Sequence, residues 1–141
     1  MTTDATVPER REFDAVPTSA RAARRFVTDL LRLGGAPAAV ITDCSLVVSE
    51  LVTNVIEHSG GTRVEVAVDL ADPRWWCLEV VGAAPSSPKQ LAAPETWTVG
   101  GANDVSGRGL GIVRQLMDEV VINTTDGHIT VTCRRRRSDV R

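Results

Sequence analysis

From Pro37 to about His58 the apolar residues Ile41, Cys44, Val47, Val48, Leu51, Val52, Val55 and Ile56 recur at steps of three and four, the period of an α-helix. They cover about half of the helix circumference, so other parts of the chain must pack over that half. The polar residues left over are not scattered. Glu50, Asn54 and Glu57 stand at i, i+4 and i+7 and share one stripe. A fold for this chain has to bury about half of one long helix and find a place for one polar flank.

The remaining patterns supply the cover. A chain of 141 residues, 43% apolar and 24% charged, fits a single domain with one core. Residues 1–11 are polar, mixed in charge and aperiodic, and read as a mobile arm. Phe13, Ala15 and Val16 form a short strand-like run, and Pro17-Thr18-Ser19 offers a helix start. In the helix predicted from Ala20 to Leu33, Ala23, Phe26, Val27, Leu30, Leu31 and Leu33 make the dry side. Arg21, Arg24, Arg25, Thr28, Asp29 and Arg32 make the wet side, and Gly34-Gly35 stops the helix. Val64, Val66 and Val68 alternate with polar residues as a half-buried strand does, and the returning strand from Trp75 to Val81 puts Trp76, Leu78 and Val80 on one side.

Periodicity vanishes between Gly82 and Gly109, a length typical of a lid, a binding loop or a disordered segment. Helical spacing returns at Leu110, Val113, Leu116 and Met117. Strands at about Val120–Asn123 and His128–Arg134 follow, joined through an Asp126-Gly127 hairpin signal. The order β-α-α-β-β-loop-α-β-β predicts an α+β fold. It is a two-layer α/β sandwich, with a mixed, mostly antiparallel sheet covered on one face by about three helices. The expected domain runs from 12 to 134, with a basic tail at 135–141.

Composition excludes several function classes. The formal charge is −2, so there is no net field to hold the chain on nucleic acid or an anionic membrane. Its longest uninterrupted apolar runs fall short of the ~20 residues that span a bilayer, and the N-terminus lacks a secretory h-region. The reading is a cytoplasmic protein. Cys44, Cys77 and Cys133 are 33 and 56 residues apart, without metal-ligand spacing, and the two histidines have no partner ligands nearby. The arginines Arg134–Arg137 read as a solvated tail or an acidic-partner contact, since base recognition needs a presenting element.

Two motifs carry chemistry. Glu50 and Asn54 put a carboxylate and a carboxamide one turn apart. Mg²⁺ takes oxygen ligands and keeps waters while bridging phosphates, so one Asn oxygen can suffice, and Glu50 could deprotonate a hydroxyl or water. The alternative is an exposed polar helix back. Gly107-Arg108-Gly109-Leu110-Gly111, at an expected helix start, would let backbone N–H groups approach a phosphate. The alternative there is a flexible entry turn with tight helix packing.

In this order and spacing the motifs resemble those of the ATP-binding domain shared by histidine kinases, gyrase, Hsp90 and MutL. The helix V-V-S-E-L-V-T-N-V-I-E-H-S is similar to the N-box, and S-G-R-G-L-G-I-V-R-Q-L-M to the second glycine box. With the opening F-D-A-V-P-T-S-A-R-A-A-R-R-F-V, residues 12 to 133 resemble the small ATPases related to bacterial anti-sigma-factor serine kinases.

The resemblance implies a histidine-kinase-like ATPase fold. It also implies Glu50 as general base, Asn54 as Mg²⁺ ligand, and Gly107, Gly109 and Gly111 as a phosphate-contacting turn that Arg108 supports and Leu110 completes. Thr130 would stand near adenine, with Thr132 a rival. ATP and Mg²⁺ would be the cofactors, a sigma factor and an anti-sigma-factor antagonist the partners, and a homodimer the assembly. One feature departs. The family's adenine-binding aspartate falls at Gly82 or Ala83. A charge-assisted hydrogen bond contributes ~1.5–3 kcal/mol, so its loss would weaken ATP binding by roughly ten- to a hundred-fold or more. Three functions remain open: a serine/threonine kinase and anti-sigma factor, a partner-binding module without useful nucleotide binding, and a simple ATPase. In the loop, Asp104 is a distant substitute for the acid and Trp97 a docking or core-covering residue.

Overall fold

The computed structural model describes residues 8–58, 60–84 and 105–137, the side chains of the last segment from Leu110 onward. Its elements are β1 (Glu9–Asp14), α1 (Ser19–Leu33), α2 (Ala38–His58), β2 (Arg63–Asp69), β3 (Trp75–Ala83), α3 (Val105–Leu116), β4 (Glu119–Thr125) and β5 (His128–Arg136). The strands form one sheet in the order β1-β2-β3-β5-β4. The four pairings among the described residues are all antiparallel, in keeping with the mostly antiparallel sheet expected.

Side chains alternate across a strand, and here the alternation divides the molecule. Val64, Val66 and Val68 of β2, Trp76, Leu78 and Val80 of β3, and Ile129, Val131 and Cys133 of β5 point to the helix side. They form one buried cluster there with Ala23, Val27 and Leu31 of α1, seven residues of α2, Val113 of α3, and Met117 just after α3. The opposite face is polar: Arg10 reaches Glu65 and Glu79, Arg63 reaches Glu12 and Asp14, and Arg134 reaches Glu119.

Helix α2 is the middle of this arrangement. Val40, Cys44, Val47, Val48, Leu51, Val52 and Val55 are all buried. By length and mean hydropathy (1.6) it is the one helix among the described residues that would pass as a membrane span, but its apolar side is packed in the core. Burial pushes the Cys44 thiol up to about 12 and raises Cys133 as well, so both stay protonated and unreactive near neutral pH. Val55 and Cys44, a helical face apart from Glu50, also show why the polar stripe survives: the core needs only the other side.

The boundaries differ from the sequence reading at both ends. β1 begins at Glu9, so Glu9–Arg11 belong to an edge strand instead of the arm; opposite charges in Arg10 and Glu65 make the polar run a cross-strand ladder. β5 continues through Arg136, and the arginines read as a solvated tail are engaged. Arg135 pairs with Asp43 at 2.6 Å, Arg136 lies over the Trp75 ring at 4.5 Å, and Arg137 lies over Trp76 at 3.9 Å. Cation–π stacking and half-buried pairing hold these guanidiniums to the fold. The turn between β4 and β5 has Asp126 at φ 52° and Gly127 at φ 77°, the two left-handed residues that a type I′ hairpin needs.

Leu51 is 2% exposed at the centre of the cluster. Leu51→Ala is expected to lower unfolding free energy by about 2–5 kcal/mol, read from the urea midpoint; a loss below about 0.5 kcal/mol would place Leu51 outside the core.

Candidate functional site

The polar flank of α2 is oriented by a tether. Asp43 lies seven residues before Glu50, on the same helical flank. Its carboxylate accepts a 2.6 Å bond from Arg135 of β5, and the same guanidinium nitrogen reaches the carbonyl of Leu116, the last residue of α3, at 3.4 Å. The flank bearing Glu50 and Asn54 therefore faces α3. Both side chains are half-buried, and neither has a hydrogen bond or ion pair within the described residues. The structure thus brings Glu50 and Asn54 together and leaves their oxygens available. Among the described residues no group of three His, Cys, Asp or Glu could hold a metal, so a cation here would rest on Asn54 with water and ligand oxygens.

The glycine motif stands differently from expectation. Helix α3 starts at Val105, five residues before the expected first helical residue, because the backbone of Gly107, Arg108 and Gly109 is itself helical. Gly107 remains in the first turn, where N–H groups lack partners inside the helix. Gly109 and Gly111 lie deeper, where N–H groups are spent on the helix itself. Gly111 is buried and Leu110 packs against the core, so this end of the motif serves close packing of α3. Backbone N–H groups free of the helix, the kind an anion could accept, are confined to the first turn. The loop expected from Gly82 also starts later, since β3 runs to Ala83; Trp97 and Asp104 lie outside the described residues.

Thr130 is not brought to this site. It pairs with Val81 and Asn123 on the sheet face away from the helices. Thr132 shares that face and donates to Glu79 at 3.3 Å. The period of two decides this: β5 sends Ile129, Val131 and Cys133 to the helices, and no hydroxyl.

Gly82 is the other informative position. It is buried on the helix side of β3, paired with Ile129, whereas Ala83 pairs with His128 on the outer face. A Cβ at Gly82 would stand 2.5 Å from Val55 Cγ1 and 3.2 Å from its Cγ2. No side chain fits there while Val55 keeps its place, and a carboxylate least of all. Sequence reasoning found Gly82 but missed Val55, which it counted as core; it also placed Arg135 in a tail. The stripe spacing from Asp43 to Glu50 was the available signal for the tether.

The pattern of the histidine kinase-like ATPase domain matches residues 13–135. The chain belongs to that family. This histidine kinase-like ATPase domain is similar in fold to a crystal structure of the RsbU and RsbW domains of Rv1364c from Mycobacterium tuberculosis, with TM-score 0.67 and 23% identity over 93% of this chain. The domain spans 32% of that chain's length. It is also similar in fold to a chain of the SiaB-SiaC complex from Pseudomonas aeruginosa, with TM-score 0.62, 12% identity, and cover of 92% of this chain and 89% of that one. No curated protein gives a significant match.

For a nucleotide of the kind that this family name implies, the fit divides. The unengaged oxygens of Glu50 and Asn54 on α2 suit a cation with phosphates. The closed space at Gly82 does not suit a base-reading acid. Gly82→Asp is expected to lose about 1–3 kcal/mol of stability through overpacking alone, and Val55→Ala in the same chain to recover part of that loss. Urea unfolding of the two singles and the double reads this; additive losses would show that Val55 does not occupy the space.

Proposed function

We propose that this domain is a regulator of the anti-sigma type, acting in the cytoplasm. It binds a sigma factor and phosphorylates a serine or threonine of an antagonist protein with Mg-ATP. The observation that carries the reading is the α2 flank facing α3, where Glu50 and Asn54 are half-buried side by side and unengaged among the described residues. Family membership supports a nucleotide at that flank, and a fold shared with an RsbW-domain structure and with a chain of the SiaB-SiaC complex supports a regulator working through protein partners. A homodimer is part of the same proposal.

Bound Mg-ATP supplies the transferable phosphoryl group. Asn54 Oδ1 would hold the cation, and the first turn of α3 near Gly107 would donate backbone N–H groups to phosphate oxygens. Glu50, one turn before Asn54, would accept the proton of the attacking hydroxyl. Phosphoryl transfer depends mainly on such positioning and on charge neutralisation, and the Asp43–Arg135 tether to the end of α3 would help to position the α2 flank.

A second reading rests on Gly82 and Val55: a partner-binding regulator of the same fold that acts without nucleotide. Transfer of labelled phosphate from Mg-ATP to a candidate antagonist separates the two. Glu50→Gln is expected to lower the rate by roughly 10²–10⁴-fold, and Asn54→Ala to weaken dependence on Mg²⁺. Equal transfer by both variants would rule out these roles, and partner capture that ignores nucleotide altogether would favour the second reading.

A further inference from the structure

Several arginines among the described residues are held in ion pairs. Arg10, Arg63, Arg74, Arg134 and Arg135 each meet a carboxylate. On the outer side of α1 the pattern changes. A groove of about 820 Å³ is lined by Arg11, Arg21, Arg24, Arg25 and Arg32, with Asp29 its one carboxylate. Asp29 meets Arg32 at 3.5 Å, both well exposed. Among the described residues the other four have no carboxylate within salt-bridge reach: Arg24 donates to Ser49 at 2.9 Å and Arg11 stacks over Phe26 at 5.0 Å. Arg21 and Arg25 are exposed and one turn apart on the same stripe. A chain with net charge −2 therefore concentrates uncompensated positive charge on one helix face.

Aliphatic side chains stand at both ends of this face. Val16, just before α1, is 45% exposed, and Leu33, its last residue, is 85% exposed. Arginine between apolar anchors is a composition enriched at protein interfaces. Nucleic acid fits less well, because Asp29 lies inside the groove and exposed Glu9 shares the sheet face of Arg11 on the neighbouring β1, breaking the continuous positive surface that a phosphate backbone needs. A membrane fits less well too, since the apolar stripe of α1 is spent on the core.

We propose that the arginine groove along α1 is a docking surface for an acidic segment of a partner protein, with carboxylates meeting Arg11, Arg21, Arg24 and Arg25. From Arg21 to Arg32 the face is roughly 16 Å long at the helical rise, enough for about three turns of a partner helix. The inference rests on the reading of the chain as a partner-binding regulator. It needs neither nucleotide nor the Glu50–Asn54 flank, so the two can fail separately.

The test uses the full chain without nucleotide and a synthetic helical peptide of about 16 residues, its glutamates at the spacing of Arg21, Arg25 and Arg32 and a leucine at each end. Amide chemical shifts are expected to move along α1 and around Arg11. Affinity is expected to fall about tenfold or more in Arg21→Glu/Arg25→Glu and to weaken as salt rises. That variant changes exposed side chains only, so its unfolding midpoint and its phosphotransfer to a small acceptor peptide should stay at parental values. No shift at millimolar peptide, or equal binding by the charge-reversed variant, would overturn the proposal. So would tighter binding of duplex DNA or of phosphatidylserine vesicles at the same residues.

Discussion

Burial of α2 is the constraint on which the rest depends. Seven of its residues enter the core, and no single element covers a surface that wide. α1 takes one side, the helix-facing valines of β2 and β3 lie beneath, and α3 closes the third side. The flank from Asp43 through Glu50 to Asn54 is left outside the apolar core, at one edge of an outer side that also carries exposed Thr42, Leu46 and Glu57. That flank is positioned by Arg135, whose single guanidinium links α2, β5 and the end of α3. Its pair with Asp43 is partly shielded, with side chains 23% and 29% exposed, so losing one partner would strand a charge in a poor solvent. The packing that stabilises the fold thus also presents the polar residues on which the proposed chemistry rests.

The two ends of the candidate site follow different rules. At the proposed phosphate end, charge and backbone dipoles would do the binding, through half-buried Glu50 and Asn54 on α2 and the first turn of α3. At the base end, recognition would need a polar side chain on the helix side of β3 or β5. The strands provide Gly82, under Val55, and Ile129, both buried and apolar. A buried carboxylate there would require both space and a partner to offset its desolvation, and the packing of Val55 supplies neither. An acid introduced at Gly82 would meet the side chain of Val55, so that single change does not build a base-reading carboxylate.

Periodicity made the fold legible. The three-and-four spacing from Ile41 to Ile56, the alternation from Val64 to Val68 and the Asp126-Gly127 turn each report on local geometry that packing then enforced. Two boundaries were misread because charge was taken as a mark of solvent. Glu9–Arg11 and Arg134–Arg137 are charged yet lie in strands or against the fold, their guanidiniums held by carboxylates and aromatic rings. Thr130 was misplaced for a different reason: the strand pattern already put Ile129 and Val131 on the dry side, and alternation then sends Thr130 to the other. The space conflict of Gly82 with Val55 could not be read from sequence, since the two are 27 residues apart and meet only through the packing of α2 on β3.

Calorimetric titration of the unmodified chain with Mg-ATP and, in parallel, Mg-GTP tests the central claim most directly, because it separates the phosphate end of the site from the base end. The account predicts that both nucleotides bind, with affinities within about tenfold of each other, a difference of about 1.4 kcal/mol or less. A preference for ATP of more than about a hundredfold would show that the base is read despite Val55 and Gly82. No heat with either nucleotide up to millimolar concentration would remove the phosphate end as well, and leave a regulator that works by partner binding alone.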